Sequence, residues 1–290
     1  MNFSEENLKG CDIIRNFSKR KKIILLVLLA LVIVLAVTAF YNSLTVTEYT
    51  IYSEKINNTV KIVLLTDLHS CVYGNNQEKL IKKIEKQKPD IIFMSGDIAD
   101  DVLPDVNVVQ LLEGIANKYP CYYVAGNHEF WSGRVDGQKE MFRKHGVTVL
   151  EGDCEKVIIN GQSLSICGID DPFAGNEIFN SQLEKVSAFT DPSIYTVLLT
   201  HRPERFDDYV KGGFDLVLSG HAHGGQWRIP LLLPNGLFAP NQGLFPKYTN
   251  GVHEKNNTKI VISRGLSRES TIIPRIYNPP EAVVINLVPS

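Results

Sequence analysis

Short apolar runs alternate with amphipathic stretches along most of this 290-residue chain. "TVTEYTIYSEKINN" (45–58) reads as an outer strand and turn, and the β-branched run "TVKIVLL" (59–65) as a strand. "NNQEKLIKKIEKQKP" (75–89) follows with helical spacing. Asn75 stands three residues before Glu78, as in a capping box, and Leu80, Ile81 and Ile84 form the buried stripe. "DIIFMS" (90–95) and "CYYVA" (121–125) are further strands, each followed by a helical stretch, "DVNVVQLLEGIANKY" and "DGQKEMFRKHG". Later come "KVIIN", "SLSICGI", "SIYTVLLT", "FDLVLS", "KIVISR" and "AVVINL", short and strand-like, with Asn160-Gly161 marking a tight hairpin. Strand–helix alternation predicts parallel βαβ units in the first half, and the hairpins predict a mixed sheet in the second.

One run differs in kind. "IILLVLLALVIVLAVTAF" (23–40) holds eighteen residues without a charge, and as a helix it spans roughly 27 Å, close to the thickness of a bilayer's hydrocarbon. The basic cluster "SKRKK" precedes it, Tyr41 closes it, and the next lysine is Lys55. The expectation is a cytoplasmic basic tail over 1–22, a transmembrane signal anchor over 23–41 and an extracytoplasmic domain over 42–290. The competing reading is a cleaved signal peptide, with "VTA" before Phe40 as the cleavage site; such peptides carry shorter apolar regions.

Composition adds little, but charge does. Residues 1–22 hold six basic and three acidic side chains, so the remaining 24 basic and 29 acidic residues leave the rest of the chain at about −5. That sign argues against nucleic acid as a partner. Cys11, Cys71, Cys121, Cys154 and Cys167 show no zinc-binding spacing. Cys11 is expected in the cytoplasm; the other four could pair if exported, with Cys121 and Cys167 read as single buried thiols and Cys71 as packing.

The chemistry is concentrated after the apolar runs. "LLTDLH" gives Asp67 and His69, "FMSGDIADD" gives Asp97 and Asp100, and "YVAGNHE" gives Asn127, His128 and Glu129. Asp67, Asp97 and Asn127 recur every 30 residues, about one βαβ unit. "VLLTH" adds His201, and "SGHAHGG" adds His221 and His223. Glycine at 220, 224 and 225 clears space for a close approach. Five of the seven histidines thus fall at predicted strand ends beside carboxylates or an amide, which predicts a shared metal site.

In "DLH", "GDIAD", "GNHE", "TH" and "GHAH" the chain resembles the calcineurin-like metallophosphoesterases. "GGQWRIP", "APNQGLFPKY" and "PRIYNPPE" resemble a membrane-anchored bacterial branch, whose members hydrolyse phosphodiesters or the pyrophosphate of UDP-2,3-diacylglucosamine. The resemblance implies a four-layer α/β/β/α sandwich with two divalent ions: Asp67, His69 and His223 on one, Asn127, His201 and His221 on the other, and Asp97 shared. Two such ions would bring +4 against about −3 from Asp67, Asp97 and a hydroxide, leaving about +1 to hold a phosphate oxygen. Manganese is the expected metal, with iron or zinc as alternatives. The resemblance also gives His128 the part of an acid that touches the scissile phosphate and protonates the leaving oxygen.

Other residues stay open. Asp100 either orients a ligand or is solvated. Arg202, Arg264 and Arg268 either reach phosphate or a nucleotide, or lie on the surface. The apolar loop from Trp227 to Tyr248 either dips toward a bilayer, holds an acyl chain, or folds over the core. The function expected is hydrolysis of a phosphodiester or pyrophosphate bond in a small-molecule, lipid-linked or cell-envelope substrate. The alternatives are a phosphomonoesterase for proteins or nucleotides, and a non-catalytic envelope protein held together by metal.

Overall fold

The computed structural model describes residues 5–268 and 273–290 and divides into two compact units, one ending at Tyr41 and the other Asn42–Ser290. Glu269 and Ser270 of the "SRGLSRES" stretch and the side chain of Cys11 lie outside what is described. The first unit is one helix, α1 (Glu5–Ala39). Within it Lys19–Ala39 has a mean hydropathy of 3.0 and no buried residue, which makes it a candidate membrane span by length and composition. The helix begins well before Ile23, because nothing between residues 5 and 22 breaks it: there is no proline and a single glycine.

In the second unit the chain runs β1 (Thr45–Ser53), β2 (Val60–Leu65), α2 (Glu78–Gln87), β3 (Ile91–Ser95), α3 (Val106–Ile115) and β4 (Cys121–Val124). Next come α4 (Asn127–Trp131), α5 (Val135–Lys144), β5 (Thr148–Val149), β6 (Asp153–Ile159), β7 (Gln162–Gly168) and α6 (Asn176–Ala188). It continues with β8 (Tyr195–Leu199), α7 (Phe206–Lys211) and β9 (Leu216–Ser219). A small hairpin, β10 (Phe238–Ala239) and β11 (Gly243–Leu244), precedes β12 (Gly251–Lys255), β13 (Thr258–Ile262) and β14 (Glu281–Pro289).

The result is a mixed α/β fold with two six-stranded sheets. The first has the order β1-β14-β2-β3-β4-β5, with β2 to β5 parallel and β14 antiparallel to β2. The second has the order β12-β13-β9-β8-β7-β6, parallel from β13 to β7 and closed at both edges by antiparallel hairpins. The β6–β7 hairpin turns at Asn160 and Gly161, both with positive φ, as the sequence predicts.

Three apolar clusters follow from side chains alternating along each strand. The inner faces meet in one: Ile62, Leu64, Phe93 and Val124 of the first sheet join Leu164, Val197, Leu199 and Leu216 of the second. On its other face the first sheet buries Val63, Leu65, Ile92 and Met94 against α2, α3 and α5. The second buries Leu198, Val217 and Ile260 against α6 and α7. Strands covered on both faces are apolar throughout, which explains the unbroken runs in the sequence.

Three expectations are corrected. Helix α2 begins at Glu78, and Asn75 does not cap it: residues 75–77 form a 3-10 turn. Gln77 instead turns inward, accepting from Tyr73 N–H and donating to the carbonyl of Cys71. Ile81 is only half-buried, whereas Leu80 and Ile84 are fully inside. Cys167 is not a single thiol but is disulfide-bonded to Cys154, its direct cross-strand partner; Cys121 and Cys71 are free and buried. In the loop after Trp227, whose placement the sequence leaves open, Leu231 is 98% and Leu232 81% exposed, and Leu244 and Phe245 are exposed as well.

Candidate metal centre

The parallel strands aim their carboxyl ends at one place. β2 leads into Asp67, β3 into Asp97, β4 into Asn127, β8 into His201 and β9 into His221, each within three residues of the strand's last residue. Asp67, His69, Asp97, His221 and His223 all have positive φ, a backbone state costly for non-glycine residues and characteristic of sites whose geometry is imposed from outside. Close packing explains two of the glycines. A Cβ on Gly220 would come 2.3 Å from Asp67 Oδ2, and one on Gly126 would come 2.3 Å from Asp97 Oδ1.

Two triads and a shared carboxylate result. Ligand atoms of Asp67, His69 and His223 fall within 4.8 Å of one another, as do those of Asp97, His201 and His221. His223 Nε2 is 3.7 Å from Asp67 Oδ1, and His221 Nδ1 is 3.2 Å from His201 Nε2. Asp97 sits between the groups: Oδ1 accepts the His128 N–H at 2.9 Å, while Oδ2 is 3.7 Å from His69 Nε2 and 3.1 Å from His201 Nε2. That oxygen is buried and meets only these imidazole nitrogens, while His69 Nε2 and Asn127 Oδ1 are buried without a hydrogen-bond partner among the described residues. Buried polar atoms left bare in one spot are costly unless something absent binds them, and a divalent cation fits this set of oxygen and imidazole donors.

The opposite side of each imidazole is held. His201 Nδ1 lies 2.9 Å from the Ser95 carbonyl, His223 Nδ1 3.0 Å from Ser267 Oγ, and His221 Nε2 2.9 Å from Asn241 Oδ1. Such partners fix ring orientation and leave the inner nitrogen free. Asp100 Oδ2 lies 3.4 Å from His69 Nδ1, and its Oδ1 accepts the N–H groups of Val102 and Leu103. Burial would raise the Asp100 pKa, but His69 and those N–H groups hold it at about 2. Glu129 is the clamp of the "GNHE" block: its carboxylate accepts from the N–H groups of Asp97, Ala99 and Gly126, tying two strand tips together.

The buried charges of the site act on one another across the seam between the sheets. Burial acts against protonated His201, yet Asp97, Asp67 and Asp171 push its pKa up to about 10. Burial would raise Asp97, but His201 and His69 hold it well below the carboxylate range. Burial, with His201 and His69 respectively, drives His221 and His223 well below their ordinary value, keeping them neutral.

His128 is the most accessible of the group, with 22% of its side chain exposed, and its Nδ1 is 2.7 Å from Asp101 Oδ1. Arg202 is buried beside the centre, bidentate to Asp171 and 2.8 Å from His221 Nε2. Arg264 is bound to Glu281, 2.6 Å away, and Arg268 donates toward the Val72 carbonyl, so neither guanidinium is directed at the ligand cluster. Cys71 accepts the N–H of Arg268. The sequence reading missed Asp101, Trp131, Asp171, Asn241 and Ser267. Asp101 was adjacent to a named block, but the others carry no local signature.

Carboxylates and imidazoles gathered at the tips of two sheets define a metallohydrolase-type site. The profile of the family "Calcineurin-like phosphoesterase" matches residues 60–225, more than half the chain, and the chain belongs to that family, a class of metal-dependent phosphoesterases. The family works with a dinuclear divalent-metal centre, which the clustered ligands fit. A metallophosphoesterase of Campylobacter jejuni is 30% identical over 242 residues, spanning 80% of this chain, although the chain spans only 60% of that relative's length. One of Aquifex aeolicus is 30% identical over 253 residues, covering 84% of this chain and 92% of its own. The solved NAD nucleotidase of Haemophilus influenzae aligns with a TM-score of 0.49 at 14% identity, over 73% of this chain and 46% of that one.

Proposed function

We propose that this is a membrane-anchored, dinuclear-metal hydrolase cleaving a phosphodiester or pyrophosphate bond in an amphiphilic or cell-envelope substrate, UDP-2,3-diacylglucosamine-like or phospholipid-like. One observation carries the reading: where the strand tips converge, His69 Nε2 and Asn127 Oδ1 are buried with no hydrogen-bond partner among the described residues, around an Asp97 Oδ2 that meets only imidazole nitrogens. In this reading Asp67, His69 and His223 hold one ion, Asn127, His201 and His221 hold the second, and Asp97 is shared. Such a pair of ions, with manganese proposed and iron or zinc as alternatives, supplies charge to polarise phosphoryl oxygens and to acidify water. The chain's own residues do the rest. Asp101 holds His128 by Nδ1, which leaves Nε2 to deliver a proton to the departing oxygen. Asp100 steadies His69, and Arg202 braces the His221 side.

The basic cluster ahead of the apolar span supports a cytoplasmic tail over 1–22, an anchor over 23–41 and an extracytoplasmic catalytic domain over 42–290. The Cys154–Cys167 disulfide agrees with an oxidising compartment. Exposed leucines at 231, 232 and 244 suit a substrate or surface that is partly lipid. Three apolar clusters support the order helix, sheet, sheet, helix for the domain's layers.

The test uses the full chain in detergent. With Mn²⁺ it is expected to bind two metal equivalents and to cleave bis(p-nitrophenyl) phosphate faster than p-nitrophenyl phosphate. A ceiling of one equivalent overturns the dinuclear reading, and the reverse substrate preference makes the enzyme a phosphomonoesterase.

A further inference from the structure

A cavity of about 450 Å³ opens beside the metal centre, bounded by Phe173, Asn176, Arg202, Glu204, Arg205 and Asn241. Its size falls within the range of small-molecule sites. It borders the centre on two sides. Arg202 Nη1 and Asn241 Oδ1 each lie within 3 Å of His221 Nε2. On the other side Trp131 links Phe173 to His128, with ring centroids 5.1 Å from Phe173 and 4.7 Å from His128. Both rings are uncommonly open for large aromatics, Trp131 at 49% and Phe173 at 54% exposure. The Trp131 and Phe173 rings thus form an open aromatic ledge that runs from His128 to this cavity.

The lining says what that group is. An anion is a poor fit, because each cation is already matched: Arg202 by Asp171, and Arg205 by Asp208 at 2.7 Å. Glu204 also pairs with Arg202, its Oε1 3.6 Å away, so three carboxylates face two guanidiniums at this edge. An alkyl chain is an equally poor fit, since Glu204 Oε2 is buried with no hydrogen-bond partner among the described residues and so calls for a donor. The Asn176 side chain is exposed and offers both donor and acceptor, whereas Asn241 Oδ1 is taken by Arg202 and His221, which leaves its amide N–H groups as donors. A donor for a buried carboxylate, mixed partners for amides and a flat face for an aromatic ring are the three demands.

We propose that the cavity takes a neutral, hydroxyl-rich ring, a sugar, esterified to the phosphoryl group through the oxygen that leaves beside His128. The proposal rests on the phosphoesterase reading and deepens it by naming the leaving group. One sugar hydroxyl donates to the Glu204 carboxylate, another exchanges hydrogen bonds with Asn176, a third accepts from the Asn241 amide, and the ring's C–H face lies on Phe173. In the reaction the water oxygen forms the new bond to phosphorus and the phosphorus–oxygen bond to the sugar breaks. His128 protonates the sugar oxygen, and the proton lost by water goes to solvent. The products are a free sugar and a phosphomonoester.

The test compares two diesters with the Mn²⁺-loaded full chain: glucosyl methyl phosphate, and cyclohexyl methyl phosphate, which has the same ring size and no hydroxyls. Because a site that hydrogen-bonds hydroxyls rejects an analogue lacking them, kcat/KM should favour the glucosyl diester by about tenfold or more. Asn176→Ala and Glu204→Gln should each raise KM for the glucosyl diester by about fivefold to tenfold, the loss of one hydrogen bond, with kcat held. Equal turnover of the two diesters, or an unmoved KM in both variants, overturns the proposal. Should bis(p-nitrophenyl) phosphate resist hydrolysis as well, the phosphoesterase reading is what fails. Saturation-transfer NMR with glucosyl methyl phosphate then decides on the cavity alone. Transfer to the sugar ring protons that Asn176→Ala abolishes supports the proposal, and no transfer in the wild type refutes it.

Discussion

The two sheets bring different chemistry to the same point. In the proposed ligand set the first sheet contributes oxygen donors, Asp67, Asp97 and Asn127, with His69 as its one imidazole, and the second contributes only imidazoles, His201, His221 and His223. Neither half is a complete centre. The carboxylates lie on one side and the imidazoles on the other: His221 and His223 are held neutral by burial, while His201, facing Asp97 across the seam, is pushed up to about 10. Assembly of the site therefore depends on the apolar cluster that joins the sheets' inner faces. The lesson is that a metal centre built across two sheets reports on their packing as well as on its ligands.

The sharpest way to break this comparison is to remove one donor from each sheet. Asp97→Ala should abolish both metal equivalents, because that carboxylate faces both triads, and should lower turnover by about 10³-fold or more. His221→Ala should empty one position and leave the other. Elemental analysis of folded protein distinguishes the two patterns, and retention of two metals in Asp97→Ala would refute the shared role. A smaller effect belongs to His128→Ala, which in the proposed mechanism removes a proton donor and no ligand. It should lower kcat by about 10²–10⁴-fold, within the usual range for general acids, while both metals stay bound.

These blocks were legible in the sequence because each ligand follows an apolar strand and sits among few competing histidines. The strands were legible for the same reason: burial on both faces leaves them apolar throughout. What escaped had no local mark. Helices α6 and α7 present narrow apolar faces, with only Phe179 and Val186 buried on α6 and Phe206 and Tyr209 on α7, so periodicity could not announce them. Asn241 and Ser267 orient histidines from 20 and 44 residues away, a relation that exists only after folding. The Cys154–Cys167 pair follows from β6–β7 register, which the Asn160-Gly161 turn fixes but which spacing alone does not disclose.

The last contrast is between the seam and an edge. Phe93 is fully buried in the cluster shared by both sheets, and Phe93→Ala should destabilise the domain by about 3–5 kcal/mol. If the centre depends on sheet packing, this variant should also bind its second metal more weakly, although Phe93 is no ligand. The disulfide serves an edge instead: β6 is the outermost strand of the second sheet, and much of it is exposed. A cross-link spanning 13 residues is worth about 3 kcal/mol by chain entropy, but the hairpin turn already restricts the same loop. The double variant Cys154→Ser, Cys167→Ala should therefore lose less, about 1–2 kcal/mol, and keep two metals. Urea titration with parallel metal analysis reads both quantities. An edge defect that emptied the centre as readily as the seam defect would show that the second sheet transmits strain from β6 to the ligands, and the division between seam and edge would fall.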